Sequence, residues 1–272
     1  MIPIGDDNRG RRSFPIVNLS LIVINVLVFL FEVSLPPQQL ERLIFAYGAI
    51  PAEIINGIDL PPATSIPISL TILTSMFLHG GWAHILGNML FLWIFGDNVE
   101  DSMGHLKYLI FYLLGGVGAA LAQVFIDTTS TVPMVGASGA ISAVMAAYLV
   151  MFPNGLVQVL IILGIFPLVY MVPAVLMIGV WILLQFLNGL AAFSVPTEPT
   201  SGVAYFAHIG GVIAGGGRLL PLRGQGRRRA PEPPRFPGPG PPPRRKPRCC
   251  PGGAGGARRS RRRRRGASPR RS

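Results

Sequence analysis

Apolar residues along this chain come in long blocks separated by short polar clusters. The first block, Ile16 to Leu35, is opened by Pro15 and closed by Pro36-Pro37, and it has the roughly 20 residues that an α-helix needs to cross a bilayer. Further blocks predict helices over Trp82–Val99, Leu106–Ile126, Gly136–Phe152 and Val203–Leu220. Between the first two helices runs a loop with Glu41, Arg42, Glu53 and Asp59, apolar patches such as Leu43–Ile50, and Pro51, Pro61, Pro62 and Pro67. That mixture predicts a structured surface element partly sunk in the membrane interface. The apolar stretch Ser69–Leu78 leads straight into His79-Gly80-Gly81. Gly155 to Phe193 is a nearly uncharged stretch long enough for two spans, with Pro167 and Pro173 inside it. Counting alone does not say how many times it crosses.

Composition agrees with the block pattern: 50% of residues are apolar and 13% charged, with a mean hydropathy of +0.49. The reading is a polytopic helical membrane protein. The net charge of +12 is not spread evenly. Nineteen of the 24 basic residues fall between Arg218 and Ser272 beside a single acid, Glu232, so residues 1–217 hold five basic residues against eleven acids. From Pro221 the chain is Pro, Gly and Arg with almost no apolar content, and it has too little to bury to fold. We expect a disordered tail over 221–272, similar in composition to out-of-frame translation of GC-rich DNA. Were it to bind anything, anionic lipid or nucleic acid without sequence preference would suit its charge, and no specific nucleic-acid partner is expected. The two cysteines, Cys249 and Cys250, are adjacent in that tail and build no disulfide framework. Arg9, Arg11 and Arg12 precede the first block, which has no small-residue cleavage site, so it reads as a retained anchor.

Two polar residues stand just inside apolar blocks. Ser138 lies in Val135-Gly136-Ala137-Ser138-Gly139-Ala140, and His208 in Ala207-His208-Ile209-Gly210-Gly211. Such residues are costly in hydrocarbon, so a functional site is the default reading. Gly136 and Gly139 allow close backbone approach. Ser142, Ala143, Ala146 and Ala147 continue one small-residue face, and Ala207, Gly211 and Gly215 repeat every four residues on another. Each pattern alone reads as ordinary helix packing, but together they let two membrane helices come close enough for a serine–histidine contact. That contact also decides the span count. Two spans in 155–193 would put the starts of helices four and six on opposite faces, about 30 Å apart. One span, about Val172–Phe193, brings both residues in from the same side and leaves Leu156–Val169 at the interface. Six spans also place Arg9, Arg11, Arg12, Lys107 and the tail on one side, against Glu41, Glu53, Asp59, Asp127 and Glu198 on the other.

The second helix adds His84 and Asn88, four apart on one face, with His79 just ahead of it. Two roles compete for them: a metal site with His208, or an oxyanion hole with the Ser138 backbone N–H. The metal option lacks a cysteine, and the acids Asp97, Glu100 and Asp101 fall at the far end of that helix. No acid is placed to complete a triad, so a Ser138–His208 dyad is the economical reading. The soluble-hydrolase elbow fits poorly, since Ala140 stands where it asks for glycine.

Taken together, Gly136-Ala137-Ser138-Gly139, His208 with Gly211 and Gly215, His79…His84…Asn88, and Gly96…Glu100…Gly104 resemble the bacterial rhomboid proteases over about residues 15–217. The resemblance implies an all-α bundle of six transmembrane helices over 16–220, after a short cytoplasmic segment, 1–15. It implies that Ser138 attacks a peptide carbonyl with His208 as base and then acid. Asn88, His84 and the Ser138 amide would form the oxyanion hole, with Gly136 close by. His79 would help hold the cavity and its water, and Glu100 would pin the inner end of helix two. No metal or cofactor is implied. Substrates would be transmembrane proteins with helix-destabilising residues near the cut, entering from the lipid bilayer by the helix-five side. Where many relatives stack a Tyr on the histidine, this chain has Ser142. Where an apolar helix end is expected, it has Gly215-Gly216-Gly217-Arg218, and each glycine costs about 0.5–1 kcal/mol relative to Ala.

The expectation is therefore an intramembrane serine endopeptidase, multi-pass in a bacterial inner membrane, with both termini cytoplasmic and its site opening outward. The alternatives are an inactive rhomboid-like protein that binds membrane helices without cutting them, and a transporter or channel. Intact Ser138 and His208 weigh against the first. The lack of buried acid–base pairs and of repeated halves weighs against the second.

Overall fold

The computed structural model describes residues 2–6, 11–163, 166–194 and 204–217. The expected tail, Arg9, Glu198 and the two ends of predicted helix six lie outside the described residues.

The elements in chain order are strand β1 (Ile2–Asp6), helices α1 (Ile16–Ser34), α2 (Pro37–Tyr47), α3 (Pro51–Asn56), α4 (Ile68–Thr74), α5 (Trp82–Met103), α6 (His105–Ile126) and α7 (Ser138–Met151), strands β2 (Leu156–Leu163) and β3 (Phe166–Pro173), and helices α8 (Ala174–Ser194) and α9 (Tyr205–Gly216). Among the described residues, α1, α6 and the Ala174–Ala191 part of α8 are long and apolar enough to cross a membrane. Their outer faces stay apolar, with Leu27, Leu30 and Phe31 on α1 and Val175, Leu183 and Leu187 on α8 all exposed.

Helix α7 is too short to match them, and it sits at the centre. From Gly139 to Tyr148 every one of its residues is buried, and it packs chiefly on α9, α6 and α5. Small residues make this possible. A Cβ on Gly211 would lie 2.2 Å from the Gly139 carbonyl oxygen, and one on Gly215 would lie 2.2 Å from that of Ala143. The two backbones touch where side chains would otherwise hold them apart.

At the opposite end from Trp82, α5 gathers acids against the start of α1. The first backbone N–H groups of α1 have no intrahelical partner, and Glu100 accepts those of Val17 and Asn18 at 2.9 and 2.7 Å. Asp101 accepts the N–H of Arg12 and both the N–H and hydroxyl of Ser13, and Arg11 pairs with Asp97 at 2.9 Å. A carboxylate at a helix N-terminus is also favoured by the helix dipole.

Two expectations need correction. The bundle is mostly helical rather than all-α: β1, β2 and β3 form an antiparallel three-stranded sheet in that order. Leu156–Val169, the segment expected at the interface, supplies β2 and part of β3, paired in register from Leu156↔Pro173 to Leu163↔Phe166. Its run of Val, Leu and Ile suits strand geometry, and β3 is an edge, where Pro167 and Pro173 are tolerated. Val157 and Val159 point into the core while Leu156 and Ile162 are exposed. Asp6 on β1 ties the sheet to the bundle by accepting the Tyr148 hydroxyl at 2.9 Å and an amide N–H of Asn98. Helix six is also shorter than the expected Val203–Leu220: α9 ends at Gly216, inside the glycine run that favours termination. The polar loop after α1 folds as α2, α3 and α4, three short helices of which α3 buries Pro51 and Glu53.

Candidate active site

The chain enters α7 through Gly136, whose φ of 121° is open only to glycine. Its N–H donates to the Ser75 carbonyl at 2.8 Å, which anchors the turn. Ser138 is then the first residue of α7, and its backbone N–H is among the orphan donors of a helix start. One turn on, the Ser142 hydroxyl donates to the Ser138 carbonyl at 2.6 Å.

His208 comes from the first turn of α9. No side chain at Ala204 caps that helix; instead Gln123 of α6 accepts the N–H groups of Phe206 and Ala207 at 3.1 and 3.3 Å. This borrowed cap sets the height of α9. His208 Nε2 then lies 2.7 Å from Ser138 Oγ. On the other edge of the ring, Nδ1 lies 2.7 Å from Gln185 Oε1 on α8, and Trp181 packs on the ring with centroids 5.4 Å apart.

The start of α5 brings a second group of polar side chains to the same place. Gly80 N–H donates to His84 Nδ1 at 3.4 Å, which leaves the proton of a neutral ring on Nε2. That nitrogen faces Gly136, where an added Cβ would come within 2.6 Å of it and within 3.6 Å of Asn88 Nδ2. Asn88 donates one amide hydrogen to His79 Nε2 at 3.1 Å, so its second hydrogen is free to point elsewhere. His79 is held from behind: its backbone N–H donates to the buried Glu32 carboxylate at 3.2 Å, and its Nδ1 lies 3.3 Å from the Phe77 carbonyl.

These side chains open onto one cavity of about 340 Å³, with Met76, Phe91, Met145 and Trp181 as its apolar walls. Among the described residues, no three His, Cys, Asp or Glu side chains converge as a metal ligand set would. The arrangement can polarise a hydroxyl and present N–H donors to an oxygen beside it. Of the residues singled out from sequence, Ser138, His208, His84, Asn88, Gly136 and Gly139 line the cavity. His79 backs Asn88, and Gly139, Gly211 and Gly215 form the α7–α9 contact. Glu100 lies at the far end of α5. Gln123, Glu32, Trp181 and Gln185 escaped sequence reasoning. A signal existed for Gln185, a polar side chain within a nearly uncharged apolar helix.

The Rhomboid domain profile matches residues 69–220, more than half of the chain. The chain belongs to the rhomboid family. It is 29% identical over 239 residues to the rhomboid protease AarA of Providencia stuartii, covering 78% of this chain and 75% of that protein. It is 30% identical over 140 residues to the rhomboid protease GluP of Bacillus subtilis, and 37% identical over 82 residues to the chloroplastic rhomboid-like protein 11 of Arabidopsis thaliana. Those two matches cover 52% and 30% of this chain, but the chain spans only 25% and 29% of those relatives' own lengths. Family and apolar helices together make this an integral membrane protein.

Proposed function

We propose that this rhomboid is an intramembrane serine endopeptidase acting on transmembrane proteins through a Ser138–His208 dyad. The observation that carries the reading is the 2.7 Å contact between Ser138 Oγ and His208 Nε2 at a cavity edged by His84 and Asn88. In the forward step Oγ attacks the substrate carbonyl carbon while its proton passes to Nε2. The carbonyl oxygen, now negative, accepts hydrogen bonds from the Ser138 N–H, His84 Nε2–H and Asn88 Nδ2–H. Collapse expels the amine with the proton from His208, and water then releases the acyl group by the reverse roles. Gly136 keeps the donors close, and His79 orients Asn88. The kinship with AarA and GluP, both rhomboid proteases by name, supports the reading.

The bundle spans the membrane six times, by α1, α5, α6, α7, α8 and α9, within a membrane domain over 16–220. α7 is short because protein rather than lipid surrounds it, and α9 ends in its glycine run. Arg11, Arg12 and Lys107 lie towards the cytoplasm and Glu41, Glu53, Asp59 and Asp127 outside, so the site opens outward in a bacterial inner membrane. Residues 1–15 are a cytoplasmic lead-in.

A fluorophosphonate probe on the detergent-solubilised chain tests the proposal. Labelling of the parent, lost in both Ser138→Ala and His208→Ala, is the expected result. A folded parent that does not label overturns the protease reading in favour of a membrane-helix binder that does not cut.

A further inference from the structure

We infer that Gln185 is a positioning residue for His208, so that helix α8 supplies a third member of the site. The inference rests on the dyad reading above and concerns how the base is prepared. An amide oxygen can only accept. With Gln185 Oε1 at 2.7 Å, the hydrogen of a neutral His208 ring belongs on Nδ1, and Nε2 is left with the lone pair that faces Ser138 Oγ at 2.7 Å. One contact thus fixes the tautomer that the other needs. In Ser–His–Asp sites a carboxylate does this orienting and also stabilises the imidazolium; a neutral amide orients without adding charge.

The surroundings leave this task to α8. Among the described residues lining the cavity there is no carboxylate, and the titratable groups near His208 are His84 of α5 and Tyr205 of its own helix. Gln123 of α6 is occupied with the backbone of α9. Trp181, one turn before Gln185 on the same face of α8, packs on the His208 ring, with planes at 43°. The ring is therefore held at its edge by one α8 side chain and on its face by another. Helix α8 packs mainly on α9 and little on α7, so moving it outward would release the base while leaving Ser138 where it is.

The test compares the parent chain with Gln185→Leu, which keeps the bulk and removes the acceptor, and with Gln185→Glu, which keeps an acceptor and adds charge. Fluorophosphonate labelling rates are measured from pH 5 to 9, beside thermal unfolding and the imidazole ¹⁵N spectrum, with His208→Ala assigning the His208 signals. The expected result is labelling at least tenfold slower in Gln185→Leu with an unfolding midpoint near the parent's, and loss of the Nδ1-protonated His208 pattern. Gln185→Glu should recover labelling and move the acidic limb of the rate profile to higher pH, because a carboxylate favours the imidazolium. A merely structural glutamine would not move that limb. Gln185→Leu labelling at the parent rate overturns the inference and leaves the dyad standing. If Gln185→Leu does not fold, an unmoved limb in Gln185→Glu overturns it. A parent that does not label overturns the dyad reading and this inference with it.

Discussion

Gly136 is where one atom decides the site. A Cβ there would meet the His84 ring at 2.6 Å in a backbone conformation that L side chains rarely adopt. Gly136→Ala should therefore lower the labelling rate by about 100-fold or more, the order seen when an oxyanion donor is lost, with helical content by circular dichroism unchanged. Glu53 behaves differently. It is buried in α3 and accepts the Leu60 N–H at 3.0 Å. Burial pushes its carboxyl pKa up; the Leu60 hydrogen bond opposes that and nearby Asp59 adds to it. A carboxyl with a raised folded pKa binds more protons folded than unfolded, so its contribution to stability falls as pH rises through the window between the two pKa values. Glu53→Gln keeps an acceptor for Leu60 and removes the ionisation. Its unfolding midpoint should exceed the parent's at pH 7 and match it near pH 4, as measured by thermal scans at both values.

Among the elements, the α7–α9 contact sets whether Ser138 and His208 meet, because it holds two helices at backbone contact. Gly215→Val should fail badly: its Cβ would meet the Ala143 oxygen at 2.2 Å and Cα at 2.6 Å, and overpacking costs roughly 1–3 kcal/mol. The expected outcome is a lower unfolding midpoint and labelling reduced about 100-fold or more, since a 1 Å displacement of a reacting group can cost that much. Gly216, next along, is the control. Its nearest neighbour for an added Cβ is Ala146 at 3.9 Å, so Gly216→Ala should raise stability by about 0.5–1 kcal/mol through helix propensity and leave the labelling rate alone. Together the two variants separate packing glycines from glycines that only weaken the end of α9.

For the whole molecule, the clamp between the start of α1 and the end of α5 joins two helices far from the cavity. Glu100 is fully buried and accepts two backbone N–H groups of α1, with His105 also against it. Glu100→Ala strands those donors, and each buried donor left unsatisfied costs about 1–3 kcal/mol. Its unfolding midpoint should fall sharply, while the labelling rate per folded molecule stays within about twofold of the parent because the site lies at the other end of α5. A fall in that rate at full folding would instead show that the two ends are coupled.

The sequence by itself determined the apolar blocks, their lengths, and the residue types whose meeting matters, because burial in lipid and the cost of a polar group there are written in composition and spacing. It also favoured a single helix in 155–193, on the expectation that Ser138 and His208 meet. The tertiary structure alone decided that β1 pairs with β2 and that Leu156–Pro173 folds as a hairpin. An uninterrupted apolar run has no period to choose strand from helix, and the choice comes from a partner strand some 150 residues away at Ile2–Asp6. It also decided that Gln123 caps α9, that Glu32 holds His79 and that Gln185 meets His208. Each is a polar side chain in a largely apolar helix, and which neighbour it faces depends on the rotation and depth of helices packed by small residues, which no spacing within one helix records.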